Sequence, residues 1–178
     1  MTRQIALLRG INVGSHRRVA MADLRALLSD AGYSDVKTLG QSGNVVLSAT
    51  QRNPERLAGE LESQMAEGLG VQAQVVVRTC EELTAVVACD PLGEIAKDPK
   101  RYQVSFLSAK PSPKAIKEIA AIDTAPEQWT VKGREIYAWH PNGIHNSPLA
   151  KLLSDKRLGV AVTARNWNTV TKLLALAG

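Results

Sequence analysis

The segment Asp35–Ala49 constrains the fold more than any other stretch. It carries two short β-rich runs, DVKTLG and NVVLSA, separated only by Gln41-Ser42-Gly43, which is a hairpin signal. On its N-terminal side, MADLRALLSDAGY places Met21, Leu24, Leu27 and Leu28 at helical spacing, with Gly32 as a natural stop. Before that helix, QIALLRG is a short apolar run ending at glycine and predicts a strand over Gln4–Arg9. On the C-terminal side, NPERLAGELESQMAEGLG opens with Asn53 as N-cap and Pro54 at the first helical position. Leu57, Leu61, Met65 and Leu69 then share one face, and QAQVVVRT follows as a strand. The order over residues 3–78 is β-α-β-β-α-β.

The same order then restarts. CEELTAVVAC reads as a connecting helix, and DPLGEIAKDPKR, with two prolines and mixed charge, reads as a linker. RYQVSFLSA is a strand, and SPKAIKEIAAI is a helix capped by Ser112. QWTVKGREIYAWHP is a hairpin turning at Lys132-Gly133-Arg134, and SPLAKLLSDKRLG is a helix capped by Ser147. Gly159–Thr163 predicts a short strand, though it is brief enough to be only a turn between helices, and NWNTVTKLLALA is a final helix. The expected architecture is α+β: two tandem ferredoxin-like units with antiparallel sheets. Their expected bounds are 1–78 and 101–178, the second ending in an appended helix, with a connecting helix and linker at 79–100.

Composition narrows the class. The net charge of +5 and a pI of about 9.4 permit an anionic partner without requiring one. The densest basic cluster is only His16-Arg17-Arg18, whereas a dedicated nucleic-acid binder carries a stronger patch. The first apolar run has four residues before Arg9. That is too short for a signal peptide, and no run approaches the roughly 18 apolar residues of a membrane span. A cytoplasmic protein with no membrane association is therefore expected. Cys80 and Cys89 fall nine apart in one helical segment. Nine helical residues rise about 13 Å, beyond disulfide reach, so both thiols are expected to be reduced and partly buried. No Cys/His spacing suggests a metal, and no cofactor is implied.

The topology places candidate residues together. In a β-α-β-β-α-β unit the first and third strands are antiparallel neighbours at the centre of the sheet. The end of the first therefore lies beside the start of the third. This sets Arg9, Gly10, Asn12 and Gly14 next to Ser42, Gly43 and Asn44, with Arg17 and Arg18 just before the first helix. Glycines let backbone N–H groups approach an anion, a helix start offers further donors, and arginines add charge. The alternative is that these glycines only serve turns that need positive φ. Neither a P-loop nor a dinucleotide fingerprint is present.

A second cluster is expected in the second unit. HPNGIHNS leads out of its hairpin at the same end as the exit of its fourth strand, where TARNWNTV begins the last helix. His140, Asn142, His145 and Asn146 are thereby expected to approach Arg165, Asn166 and Trp167. Arg165 offers a guanidinium, Asn166 an amide or a plain N-cap, and Trp167 either a stacking face or a core side chain. His140 and His145 alone make a poor metal site.

No catalytic constellation stands out. Gly-x-Ser-x-Gly and His-Glu-x-x-His are absent, and Asp23, Glu55 and Glu118 fall on helices as first-turn or solvated charges. Ser42 has no base nearby in sequence; His16 reaches it only if the first loop folds over the hairpin. RNA-recognition motifs share this strand order and stack bases on aromatics of their first and third strands. Here those strands, IALLR and NVVLSA, carry no aromatic in the first unit, while Tyr102, Phe106, Trp129, Tyr137 and Trp139 keep the idea open in the second.

The segments ALLRGINVG, MADLRALLSDAGY, QSGNVVLS and TARNWNTVTKLL resemble the bacterial family called domain of unknown function 1697, from about Ile5 to Leu174. The resemblance implies a small α+β protein of ferredoxin-like units and supplies no catalytic residues. The family commonly has a glycine where this chain has Ser15, and an aromatic where it has Gly40. The functional expectation is a small anionic ligand, phosphorylated or nucleotide-like, at the converging loops. A nucleic-acid module, an interaction or oligomerisation module through open sheet edges, and an enzyme of unnamed reaction are the other readings.

Overall fold

The computed structural model describes residues 1–13 and 18–178. The first half runs β1 (Thr2–Arg9), α1 (Met21–Asp30), β2 (Ser34–Leu39), β3 (Asn44–Ala49), α2 (Pro54–Leu69), β4 (Gln74–Thr79) and α3 (Cys80–Cys89). Its sheet has the order β2-β3-β1-β4, antiparallel throughout. Alternation along β1 sends Ala6 and Leu8 to the helix side, where they meet Leu24 and Leu28 of α1, Leu57, Leu61 and Met65 of α2, and Val75 and Val77 of β4. As expected, Asn53 caps α2 by accepting the Arg56 N–H at 2.8 Å. Helix α3 begins with a reciprocal capping box: Glu82 accepts the Thr79 N–H at 2.9 Å and Thr79 Oγ1 accepts the Glu82 N–H at 3.1 Å.

The second half repeats the order. It runs β5 (Tyr102–Leu107), α4 (Pro113–Ala120), β6 (Gln128–Lys132), β7 (Glu135–Trp139), α5 (Pro148–Leu152), α6 (Asp155–Leu158), β8 (Val162–Asn166) and α7 (Trp167–Ala177). Its sheet has the order β6-β7-β5-β8, again antiparallel. Leu107, Ile136 and Ala138 pack with Ile119, Leu149 and Leu158 on the helix side. The two ferredoxin-like units expected from the pattern are the fold. By contact density the chain divides into Met1–Thr84 with Lys172–Gly178, and Ala85–Thr171.

Three details differ from expectation. The helix predicted after Ser147 is two short helices, broken at Leu153 with φ −81° and ψ 57°. Ser154 and Asp155 follow the break; such residues compete with helical bonding through their side chains, and Asp155 accepts the Val162 N–H at 3.1 Å instead. The candidate strand at Gly159–Thr163 lies further on, at Val162–Asn166, because its partners on β5 run from Leu107 to Gln103. Cys89 is exposed, while Cys80 is partly buried as expected; both are free thiols.

Candidate functional site

In the first unit, the β1–β3 register sets Leu7 opposite Asn44. The loops that follow β1 and precede β3 are joined beyond that pair. The Leu8 N–H donates to Gly43 O at 2.8 Å. Asn12 Nδ2 donates to Gln41 O at 2.7 Å and to Val19 O at 3.0 Å, while its Oδ1 accepts the Val19 N–H at 2.7 Å. Asn12 sits at φ 53°, a left-handed conformation that asparagine tolerates better than most residues. Its amide is thus committed to holding the loop against the hairpin. Asn44, nearly buried, donates to Leu39 O at 3.1 Å and closes the hairpin.

Gly43 explains why the two loops approach so closely. At φ +81° it is in glycine's region, and a Cβ there would fall 2.6 Å from Leu8 Cβ and 2.8 Å from Ile11 Cδ1. Gly10, at φ +84°, lets the chain turn out of β1. The solvent side of the junction carries Arg9, Gly10, Ser42 and Arg18. Arg9 donates to Gln74 Oε1 on β4 at 3.3 Å. Gly14 and Arg17, the remaining candidates here, and His16 lie outside the described residues.

In the second unit, Trp139 pairs with Tyr102 and Asn166 with Gln103, so the exits of β7 and β8 lie at one end of the sheet. The preceding segment runs beneath both exits, with the His140 N–H on Arg101 O at 3.0 Å and the Asn168 N–H on Pro99 O at 3.4 Å. Asn166 caps α7 by accepting the Thr169 N–H at 2.9 Å. Trp167 stacks on Tyr102, with centroids 4.8 Å apart and an interplanar angle of 20°. Arg165 donates to Thr163 Oγ1 at 2.7 Å and Ala164 O at 2.9 Å, and burial pulls its pKa down to about 10. His145 is exposed.

The most developed polar cluster in this unit contains a residue that motif reasoning did not single out. Glu127 precedes β6, and its side chain is 6% exposed. Its Oε1 accepts from Nδ1 of the fully buried His140 at 2.7 Å and from Ser147 Oγ; its Oε2 accepts the Leu149 N–H at 3.0 Å. Ser147 Oγ in turn accepts the Ala150 N–H at 2.8 Å, as the N-cap of α5. Burial alone raises the Glu127 pKa, but the hydrogen bonds from Ser147, His140 and Leu149 outweigh it and hold the carboxyl below its ordinary value.

The three residue types are those of an acyl-transfer triad, but the arrangement is different. In a triad one imidazole nitrogen faces the carboxylate and the other the nucleophile. Here serine and imidazole Nδ1 both bond the same carboxylate oxygen, and His140 Nε2 is buried with no hydrogen-bond partner. The cluster is a clasp between the chain before β6 and the start of α5.

Of the aromatics that kept RNA recognition open, most are closed off, while Trp139 on β7 stays half-buried. Tyr102, Phe106 and Tyr137 are each 1% exposed. The Tyr137 hydroxyl donates to Val86 O at 2.9 Å, and Trp167 covers Tyr102. Burial pushes both tyrosine pKa values up. Trp129 packs against the helix-side core. Among the described residues there is no group of three or more potential metal ligands, and no helix is long and apolar enough to cross a membrane.

The family model described as "Protein of unknown function (DUF1697)" matches residues 1–137. The chain belongs to this family. A solved structure described as the conserved bacterial protein SP0830 from Streptococcus pneumoniae aligns with a TM-score of 0.79 at 23% identity, covering 99% of each chain. At that identity the likeness shows that the DUF1697 chain shares this fold over its whole length. No curated protein matches it.

Proposed function

We propose that this DUF1697 protein binds a small anionic ligand, phosphorylated or nucleotide-like, where the loop after β1 meets the β2–β3 hairpin. The observation that carries the reading is the junction itself. Bonds from Leu8 to Gly43 and from Asn12 to Gln41, at 2.8 and 2.7 Å, hold two glycine-bearing loops side by side. Arg9, Gly10, Ser42 and Arg18 then lie on the exposed side. The roles divide: Arg9 and Ser42 contact the ligand, the Gly10 backbone lets it approach, and Asn12, Gly43 and Asn44 hold the platform. Helix α1 has no side-chain cap at Ala20, but Asp23 in its first turn already meets the positive end of its dipole, so the helix adds little to the case.

Thermal denaturation with inorganic phosphate, pyrophosphate and nucleoside phosphates tests the reading. A ligand at one hundred times its Kd adds about 2.7 kcal/mol of stability. A rise in Tm that disappears in Arg9→Ala is the expected result. No rise with any of these anions, or an equal rise in Arg9→Ala, would reject it. The nucleic-acid reading rests on the pI of about 9.4 and on the strand order shared with RNA-recognition motifs; of the strand aromatics that would stack on bases, Tyr102, Phe106 and Tyr137 are buried and Trp129 and Trp139 are half-buried.

A further inference from the structure

A cavity of about 220 Å³ lies in the second unit, between the Thr124–Glu127 segment and the turn that leads into α5. Thr124, Ala125, Pro126 and Glu127 form one wall; Asn142, Gly143, Asn146, Ser147 and Pro148 form the other. Among these residues Glu127 carries the one formal charge, and no lysine, arginine or histidine lines the space. At roughly 30 Å³ per water, the volume suits a molecule of a few heavy atoms.

The carboxylate sets the chemistry. A carboxylate offers about four acceptor positions. Three bonds reach Glu127: two on Oε1, from His140 and Ser147, and one on Oε2, from Leu149. One acceptor position on Oε2 remains. A ligand anion would meet the Glu127 carboxylate, whose imidazole partner His140 lies outside the lining, in a partly desolvated space that disfavours like charges. A cation would meet a lining that holds one carboxylate residue, Glu127, and two amide residues, Asn142 and Asn146. The proline and alanine walls suit a short carbon stem.

We infer that this cavity is a binding site for a small protonated amine, with Glu127 as the counter-charge and Asn142 and Asn146 as neutral hydrogen-bonding partners. The site is independent of the anion proposal: it uses other residues, in the other unit, and the opposite charge preference.

Titration of the full chain with ethanolamine hydrochloride, against sodium chloride at equal ionic strength, tests it by ¹⁵N–¹H correlation spectra. The expected result is saturable shifts of the Asn142, Gly143 and Asn146 amides. Sodium acetate at the same concentrations should leave those amides unmoved. Asn146→Trp, at an exposed wall position, should fill the mouth and abolish the shifts while leaving Tm unchanged. Glu127→Gln should weaken binding at least tenfold; where that variant does not fold, the blocked variant alone decides. No saturable shift with ethanolamine, equal shifts with acetate, or unchanged binding in Asn146→Trp would overturn the inference.

Discussion

Gly43 is the residue at which the first unit has least freedom. Any side chain there meets Leu8 and Ile11 at under 3 Å and must also adopt φ +81°. Gly43→Ala is expected to lose about 2–4 kcal/mol, the sum of a strained backbone and an overpacked contact, measured by urea denaturation. Gly40, also at positive φ but with nothing within 4 Å of its Cβ position, should tolerate alanine with only the backbone cost. This difference was not readable in the sequence, where both are glycines flanking the same hairpin. Asn12 gives the same lesson. Its type and place suggested a ligand contact, and three hydrogen bonds to Val19 and Gln41 give it a holding role instead. Composition and spacing locate a polar residue; they do not say which way its amide is spent.

At the scale of elements, the residues that start helices were the most readable. Asn53, Ser112 and Ser147 each accept the N–H three residues on, as their place before proline implied. The hairpin at Gly133-Arg134 was equally plain, and its register carries a second signal. Gln128 pairs with Trp139, so continuing the register by one residue sets Glu127 opposite His140. A buried histidine at the hairpin's end needs a partner, and register alone names it. The break at Leu153 was less plain, because Leu149, Leu152 and Leu153 keep apolar spacing up to it and only Ser154 and Asp155 mark it. Helix α7 depends on its first residue for anchorage. Trp167→Ala removes the ring stacked on Tyr102 and is expected to cost about 3 kcal/mol, whereas Trp167→Phe keeps a ring there and should cost under about 1.5 kcal/mol. Thermal denaturation of the two variants side by side checks this.

For the whole molecule, acid sensitivity follows from Glu127. Its folded pKa lies below the ordinary 4.5, so the folded state binds its proton less readily than the unfolded state. The stability this contributes is complete above the ordinary value. It is lost as pH falls through 4.5 towards the lower folded value. Glu127→Gln is expected to be about 2–3 kcal/mol less stable at neutral pH, with the gap to the unsubstituted protein narrowing below that range. Denaturant titrations at several pH values check both the size and the sign. The tandem arrangement itself was readable because each half repeats one order of periodicities, and secondary-structure period survives where residue identity does not.

The stacking of Trp167 on Tyr102 has a practical side as well. All three tryptophans of the chain, Trp129, Trp139 and Trp167, fall within Ala85–Thr171, while Tyr33 is the lone aromatic of Met1–Thr84. Intrinsic tryptophan emission therefore originates wholly in the second unit, and the first is optically almost silent. A single engineered fluorophore, Tyr33→Trp, would give each half of the chain its own spectroscopic signal.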